Sequence, residues 1–164
     1  MTDKMIDEIN SLKNTFLVCL NDDEDNNLHI IICGASYERT SDEDKNKLEE
    51  NFGDEKLVEI IKNCISVIPD HSVVYDIFFE RYVGYSVRNE SFTVWDDNEK
   101  FTGGHFRIYS KSNYLDYIKK SAPVAQAEYT HYGVCCENHI IDVASDKEPI
   151  INKITKIQKG DNHA

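Results

Sequence analysis

The side chains best suited to chemistry lie late in the chain. His131, Cys135, Cys136 and His139 offer the imidazoles and thiolates that zinc takes, but not in a paired short spacing of the usual kind. Cys135 and Cys136 are adjacent, so on a strand they point to opposite faces. At most His131, Cys135 and His139 could converge, and we read the set as core cysteines with surface histidines and expect no metal. Cys135, His131 and Asp142 could also assemble a nucleophile, its base and an orienting carboxylate. That chemistry needs a lowered thiol pKa and a fixed imidazole, and the sequence reports neither.

Gly103-Gly104 ahead of His105 and Arg107 invites a phosphate cradle. The Walker and dinucleotide patterns are absent, and the glycines precede a strand, so a bend is the expectation. Glu80-Arg81-Tyr82 and Arg88-Asn89-Glu90 could line an acid–base cleft. We prefer to read them as the solvent face of an antiparallel sheet, paired with charges on adjacent strands. No catalytic residue and no cofactor are therefore assigned. A small enzyme with a polar cleft in the sheet, using Glu80, Arg88, His131 or Asp142, is the alternative. A second is a homo-oligomeric structural or regulatory protein.

Trp95-Asp96-Asp97-Asn98-Glu99 is different in kind. The only tryptophan opens an acidic loop, near a strand carrying Arg107 and an expected exposed Tyr109. Trp, Tyr and Arg are common anchors of protein interfaces.

The elements that must position these residues follow from periodicity. Met5, Ile6, Ile9 and Leu12 predict a helix over 3–13. Residues 15–20 and 28–33 predict a hairpin with an acidic, Asn-rich tip. Ser41 opens an expected helix to about Phe52, and Asp54 caps a second that carries Leu57 to Ile65 and ends at Pro69-Asp70. Residues 72–87 read as strand, with Val73, Tyr75, Ile77 and Phe79 on one face. A turn at Asn89-Glu90 leads to a strand over 92–95, and another strand spans 105–109. Ser112 caps a helix with Leu115 and Ile118 inward, stopped by Pro123. Residues 128–136 and 139–144 form two more strands, and Pro149 opens a last helix bearing Ile150, Ile151, Ile154 and Ile157. The expectation is a single α+β domain over 1–158, with one mainly antiparallel sheet of six to seven strands, four to five short helices and a frayed tail over 159–164.

Charge narrows the function. Of the 164 residues, 18 are Lys or Arg and 30 are Asp or Glu, a net of −12. Residues 1–60 hold 16 acidic and 6 basic side chains, net −10, and the rest are nearly balanced. Direct nucleic-acid binding draws on Lys and Arg, so it is not expected. The first residues are polar and mixed in charge, unlike a signal peptide. The longest apolar runs fall well short of a bilayer span. Five scattered cysteines, an odd number, suit a reducing cytoplasm.

A compact acidic chain with Asp22-Asp23-Glu24-Asp25 and Asp96-Asp97-Asn98-Glu99, and no motif for chemistry, resembles the small immunity proteins of bacterial toxin systems, including the contact-dependent growth-inhibition type. The resemblance implies a cytoplasmic antitoxin, monomer or homodimer, that neutralises a cognate basic toxin domain, often a nuclease. Its interface would be formed by Asp22, Asp23, Glu24, Asp25, Trp95, Asp96, Asp97 and Glu99.

Overall fold

The structure, a computed structural model, describes residues 2–39, 64–121 and 128–155, with six further positions between 40 and 63. Helix α1 (Thr2–Asn10) is followed by β1 (Phe16–Asp22), β2 (Leu28–Arg39), β3 (Ile65–Phe79) and β4 (Gly84–Asn89). One turn of 3-10 helix (Glu90–Phe92) leads to β5 (Lys100–Thr102) and β6 (Phe106–Lys111). Helix α2 (Asn113–Ser121), β7 (Thr130–Cys135), β8 (His139–Ser145) and β9 (Ile150–Thr155) complete the order.

These strands make two antiparallel sheets. One has the order β1-β2-β3-β9, the other β4-β8-β7-β6-β5. The expected single sheet of six to seven strands is therefore corrected to two sheets of four and five. The expected four to five helices are corrected to two whose limits lie among the described residues. The helices expected over 41–52 and 54–65 fall mostly outside those residues, and so does the tail over 159–164. Ile65, assigned to the second of those helices, instead opens β3, and Pro69, expected to end that helix, lies within the strand. The last helix is a strand as well. Ile150, Ile151 and Ile154 are β-branched, and β3 offers them an edge, with Ile77 opposite Ile151 and Val74 opposite Ile154.

Alternation explains how the sheets meet. Leu28, Ile30 and Ile32 of β2 and Tyr75, Ile77 and Phe79 of β3 are buried at every second position. Phe106, Tyr132, Val134, Ile141 and Val143 answer from the five-stranded sheet, and Ile9 of α1 joins them in one cluster. Phe79 and Phe106 both lie against the Tyr132 ring, with centroids 5.4 and 5.9 Å away.

Strands β7 and β8 are buried on both faces rather than one. Their inner face is the common core, and their outer face lies against α2. That second covering removes from water the alternate residues His131 and Asp142, which a one-sided sheet would have left exposed. The bend before β6 is fixed by Gly103, whose φ of +91° lies in the left-handed region. Asn10, the last residue of α1, accepts there from the amides of Gly104 and Phe106 at 3.0 and 2.8 Å.

Candidate functional site

The outer face of the five-stranded sheet carries the site. Register places Gly133 opposite both Arg107 and Asp142, His131 opposite Tyr109, and Ser86 opposite Asp142. These pairs share a face, and long side chains can also reach diagonal neighbours. Arg88, opposite Ile140, does so and reaches Asp142.

Asp142 is the hub. Its Oδ2 accepts from Arg88 Nε at 2.9 Å and from the Ser86 hydroxyl at 3.3 Å, and its Oδ1 lies 3.0 Å from His131 Nε2. Burial pushes this carboxyl up, but hydrogen bonds from His131 and the charge of Arg88 outweigh burial and hold it below its ordinary range. His131 Nδ1 lies 2.6 Å from the Ser112 hydroxyl. The imidazole is stacked on Tyr109, with centroids 3.9 Å apart and planes 12° from parallel, and Tyr114 lies obliquely against it. Ser112, His131 and Asp142 are 3%, 1% and 1% exposed, so the network lies inside the protein. A neutral imidazole with its proton on Nε2 fits both contacts: Nε2–H donates to Asp142, and Nδ1 accepts from Ser112.

A cleft of about 300 Å³ opens beside this network, lined by Arg88, Val94, Asp96, Glu99, Asn113, Tyr114, His131 and Asp142. Its two half-buried carboxylates are organised by Asn113. The Asn113 amide donates to Glu99 at 2.9 Å, and its side chain donates to Asp96 at 2.7 Å. The backbone amide of Asn98 donates to Asp96 at 2.8 Å, and this bond, with those from the side chains of Asn113 and Asn98, holds Asp96 below the usual carboxylate range.

A second cavity, about 400 Å³, is lined by Trp95, His105, Arg107, Cys135 and Glu137 among others. Arg107 is clamped between aromatic rings, 4.4 Å from the centroid of Trp95 and 4.2 Å from that of Phe101. Its Nε donates to the Gly104 carbonyl at 3.0 Å. Tyr109, expected on the surface with Arg107, is instead buried behind it.

His131, Cys135, Cys136 and His139, weighed above against zinc, do not gather into a metal-holding group among the described residues. His131 is a buried member of the Asp142 network rather than a surface histidine, and Cys136 belongs to the central core while Cys135 faces outward with Arg107. The Cys-His-Asp set survives in two of its three members. Burial pushes the Cys135 thiol up to about 11, the wrong direction for a nucleophile, and the place next to His131 is taken by Ser112. Of the other cleft candidates, Arg88 joins His131 and Asp142, whereas Glu80 is paired elsewhere with Lys147 at 2.7 Å. Gly103 and Gly104 form a bend, with one amide committed to Asn10.

The expected interface residues fall in two places. Asp22 accepts from the Tyr82 hydroxyl at 2.8 Å. Asp23 accepts from the amides of Asp25 and Asn27 and from the Asn27 side chain, so its carboxylate orders the hairpin tip. Glu24 and Asp25 are exposed. This tip neighbours Tyr82 and Val83, where β4 meets Ala144 at the end of β8. The Trp95–Glu99 loop follows Glu90, whose amide bonds to Asn138 just before β8 begins. The acidic part of that loop is tied to the start of α2, where Asn113 bonds Asp96 and Glu99.

The strand expected over 92–95 is absent, and irregular chain follows the 3-10 turn. The turn exposes Phe92 at 86%, and the chain after it exposes Val94 at 89% and Trp95 at 45%. Neither these exposures nor the neighbours of Ser112 were visible from sequence, where Ser112 read only as a helix cap.

No protein-family model, curated protein or solved structure matches the chain.

Proposed function

We propose that the protein acts by binding another protein, as an immunity protein that captures and blocks a basic toxin domain, and that the 90–99 segment is its anchor. The observation that carries this reading is the exposure of Phe92, Val94 and Trp95 together on one irregular segment. Phe92 and Val94 stand almost wholly in water and Trp95, packed on Arg107, is about half exposed beside them, which makes the segment an interaction site in waiting. Glu90, Asp96, Asp97 and Glu99 surround them in sequence, and this arrangement suits a partner surface with apolar pockets bordered by Lys or Arg. The net charge of −12 would draw such a partner in. Glu24 and Asp25, on the far hairpin tip, add to that field without being part of the anchor.

The test is co-expression of the full chain with the product of the neighbouring open reading frame. A basic protein should co-purify in a one-to-one complex that Val94→Asp with Trp95→Ala disrupts. Absence of a complex, or a complex indifferent to that pair of substitutions, would count against this reading.

A further inference from the structure

We propose that Ser112, His131 and Asp142 form an acyl-transfer site beside the 300 Å³ cleft, which His131 and Asp142 line together with Val94, Asp96 and Glu99 of the docking segment. A hydroxyl, an imidazole within reach of its proton, and a carboxylate fixing the far ring nitrogen are the three parts of an activated serine nucleophile. Here they stand in line, 2.6 Å from Ser112 Oγ to Nδ1 and 3.0 Å from Nε2 to Asp142. The two ring nitrogens exchange the roles they take in chymotrypsin-type triads. The chemistry requires only that one nitrogen reach the hydroxyl while the other is held.

The surroundings suit the same use. Arg88 keeps the carboxylate ionised and oriented, and Tyr109 fixes the plane of the ring. Ser112 sits between β6 and α2 and caps that helix. The Leu115 amide donates to Oγ at 3.0 Å and stabilises negative charge as it develops on that oxygen.

The substrate class is a small ester. Ser112 is 3% exposed and directly precedes Asn113 and Tyr114, which line the cleft, so only a short acyl group can reach it. Asp96 and Glu99 in the same lining favour a cationic alcohol part. Ser112 Oγ bonds to the acyl carbon as its proton passes to His131 Nδ1. The tetrahedral intermediate then expels the alcohol, which leaves with that proton. Water attacks the acyl-serine by the same route, giving the free acid and restoring the hydroxyl.

The experiment is to incubate the purified full chain with a small fluorophosphonate and locate the adduct by peptide mass spectrometry. One adduct is expected on Ser112 of the folded chain and none on the chain unfolded in urea. His131→Gln should slow labelling about 100-fold, the scale of a lost general base. 4-Nitrophenyl acetate should be hydrolysed by the wild type and not by Ser112→Ala. Because Ser112 also caps α2, the wild-type adduct is the primary readout and needs no variant. Absence of that adduct from the folded wild type, or equal labelling of the unfolded chain, would overturn the proposal and leave the docking reading untouched.

Discussion

Arg88 reaches across from β4 to place Nε 2.9 Å from Oδ2 of Asp142, a carboxylate that is itself 1% exposed. The pair joins a half-exposed cation to a buried anion, and removing the cation leaves the anion short of compensation. Arg88→Met should therefore destabilise the fold by about 1–3 kcal/mol at neutral pH, less than a fully buried pair because His131 remains and Arg88 is 43% exposed. Urea unfolding measures this directly. Folding depresses the Asp142 carboxyl, so its stabilising contribution is present above the unfolded value near 3.9 and is lost as pH falls through the lower folded value. The gap between wild type and variant should accordingly narrow below about pH 4. A gap that stays constant into acid would show that Arg88 acts through packing alone.

Two glycines should respond differently to alanine. A Cβ at Gly103 would stand 2.0 Å from the Phe106 carbonyl oxygen at a φ of +91°. At Gly84 it would meet Ile118 Cδ1 at 2.8 Å, the movable end of a side chain. Gly103→Ala should cost about 3 kcal/mol or more, or prevent folding, whereas Gly84→Ala should cost about 1–2 kcal/mol. Thermal melts of the two variants decide, and a reversed order would mean that the bend before β6 can rearrange.

Thiol reactivity should divide the five cysteines. Cys19 and Cys64 are exposed, while Cys33, Cys135 and Cys136 are buried. Burial also pushes Cys135 to about 11 and Cys136 to about 12, which keeps both protonated at pH 8. Iodoacetamide at that pH should modify two sites in the native protein and all five in urea. Mass spectrometry counts them, and rapid native modification of Cys135 would contradict the covering of the outer face.

The hairpin tip separates steering from structure. Reversal of Glu24 and Asp25 to Lys should slow capture of a basic partner at low salt and have little effect at high salt. Asp23→Ala should instead speed amide exchange at Asp25 and Asn27, whose protons its carboxylate now accepts. Stopped-flow association and hydrogen exchange distinguish the two, and a salt-independent rate loss at Glu24 and Asp25 would place them in a contact rather than a field.

Local signals in the sequence carried the elements that periodicity controls. Tyr75, Ile77 and Phe79 fell on one face because alternation is a property of the strand itself, and Ser112 capped α2 through a bond three residues along the chain. What failed was whatever depends on a distant partner. Ile150, Ile151 and Ile154 suit either a helix or a strand until β3 is known to present an edge beside them. His131 looked like a surface histidine because nothing local announces that α2 will cover the sheet. Its pairing with Asp142 spans 11 residues and its pairing with Ser112 spans 19. Residues 92–95 alternate well enough for a strand, yet no strand among the described residues pairs with them, and they run largely exposed instead.

The position of β9 bears on how the chain is made. Strands β4 to β8 all lie between β3 and β9 in sequence, so the five-stranded sheet can close before the four-stranded one is finished. Until Ile150–Thr155 leaves the ribosome, one side of β3 has no strand to bond with over Val73–Phe78. The nascent protein thus carries an unpaired edge while the whole five-stranded sheet is being made, and chains cut short before Ile150 should associate through that edge.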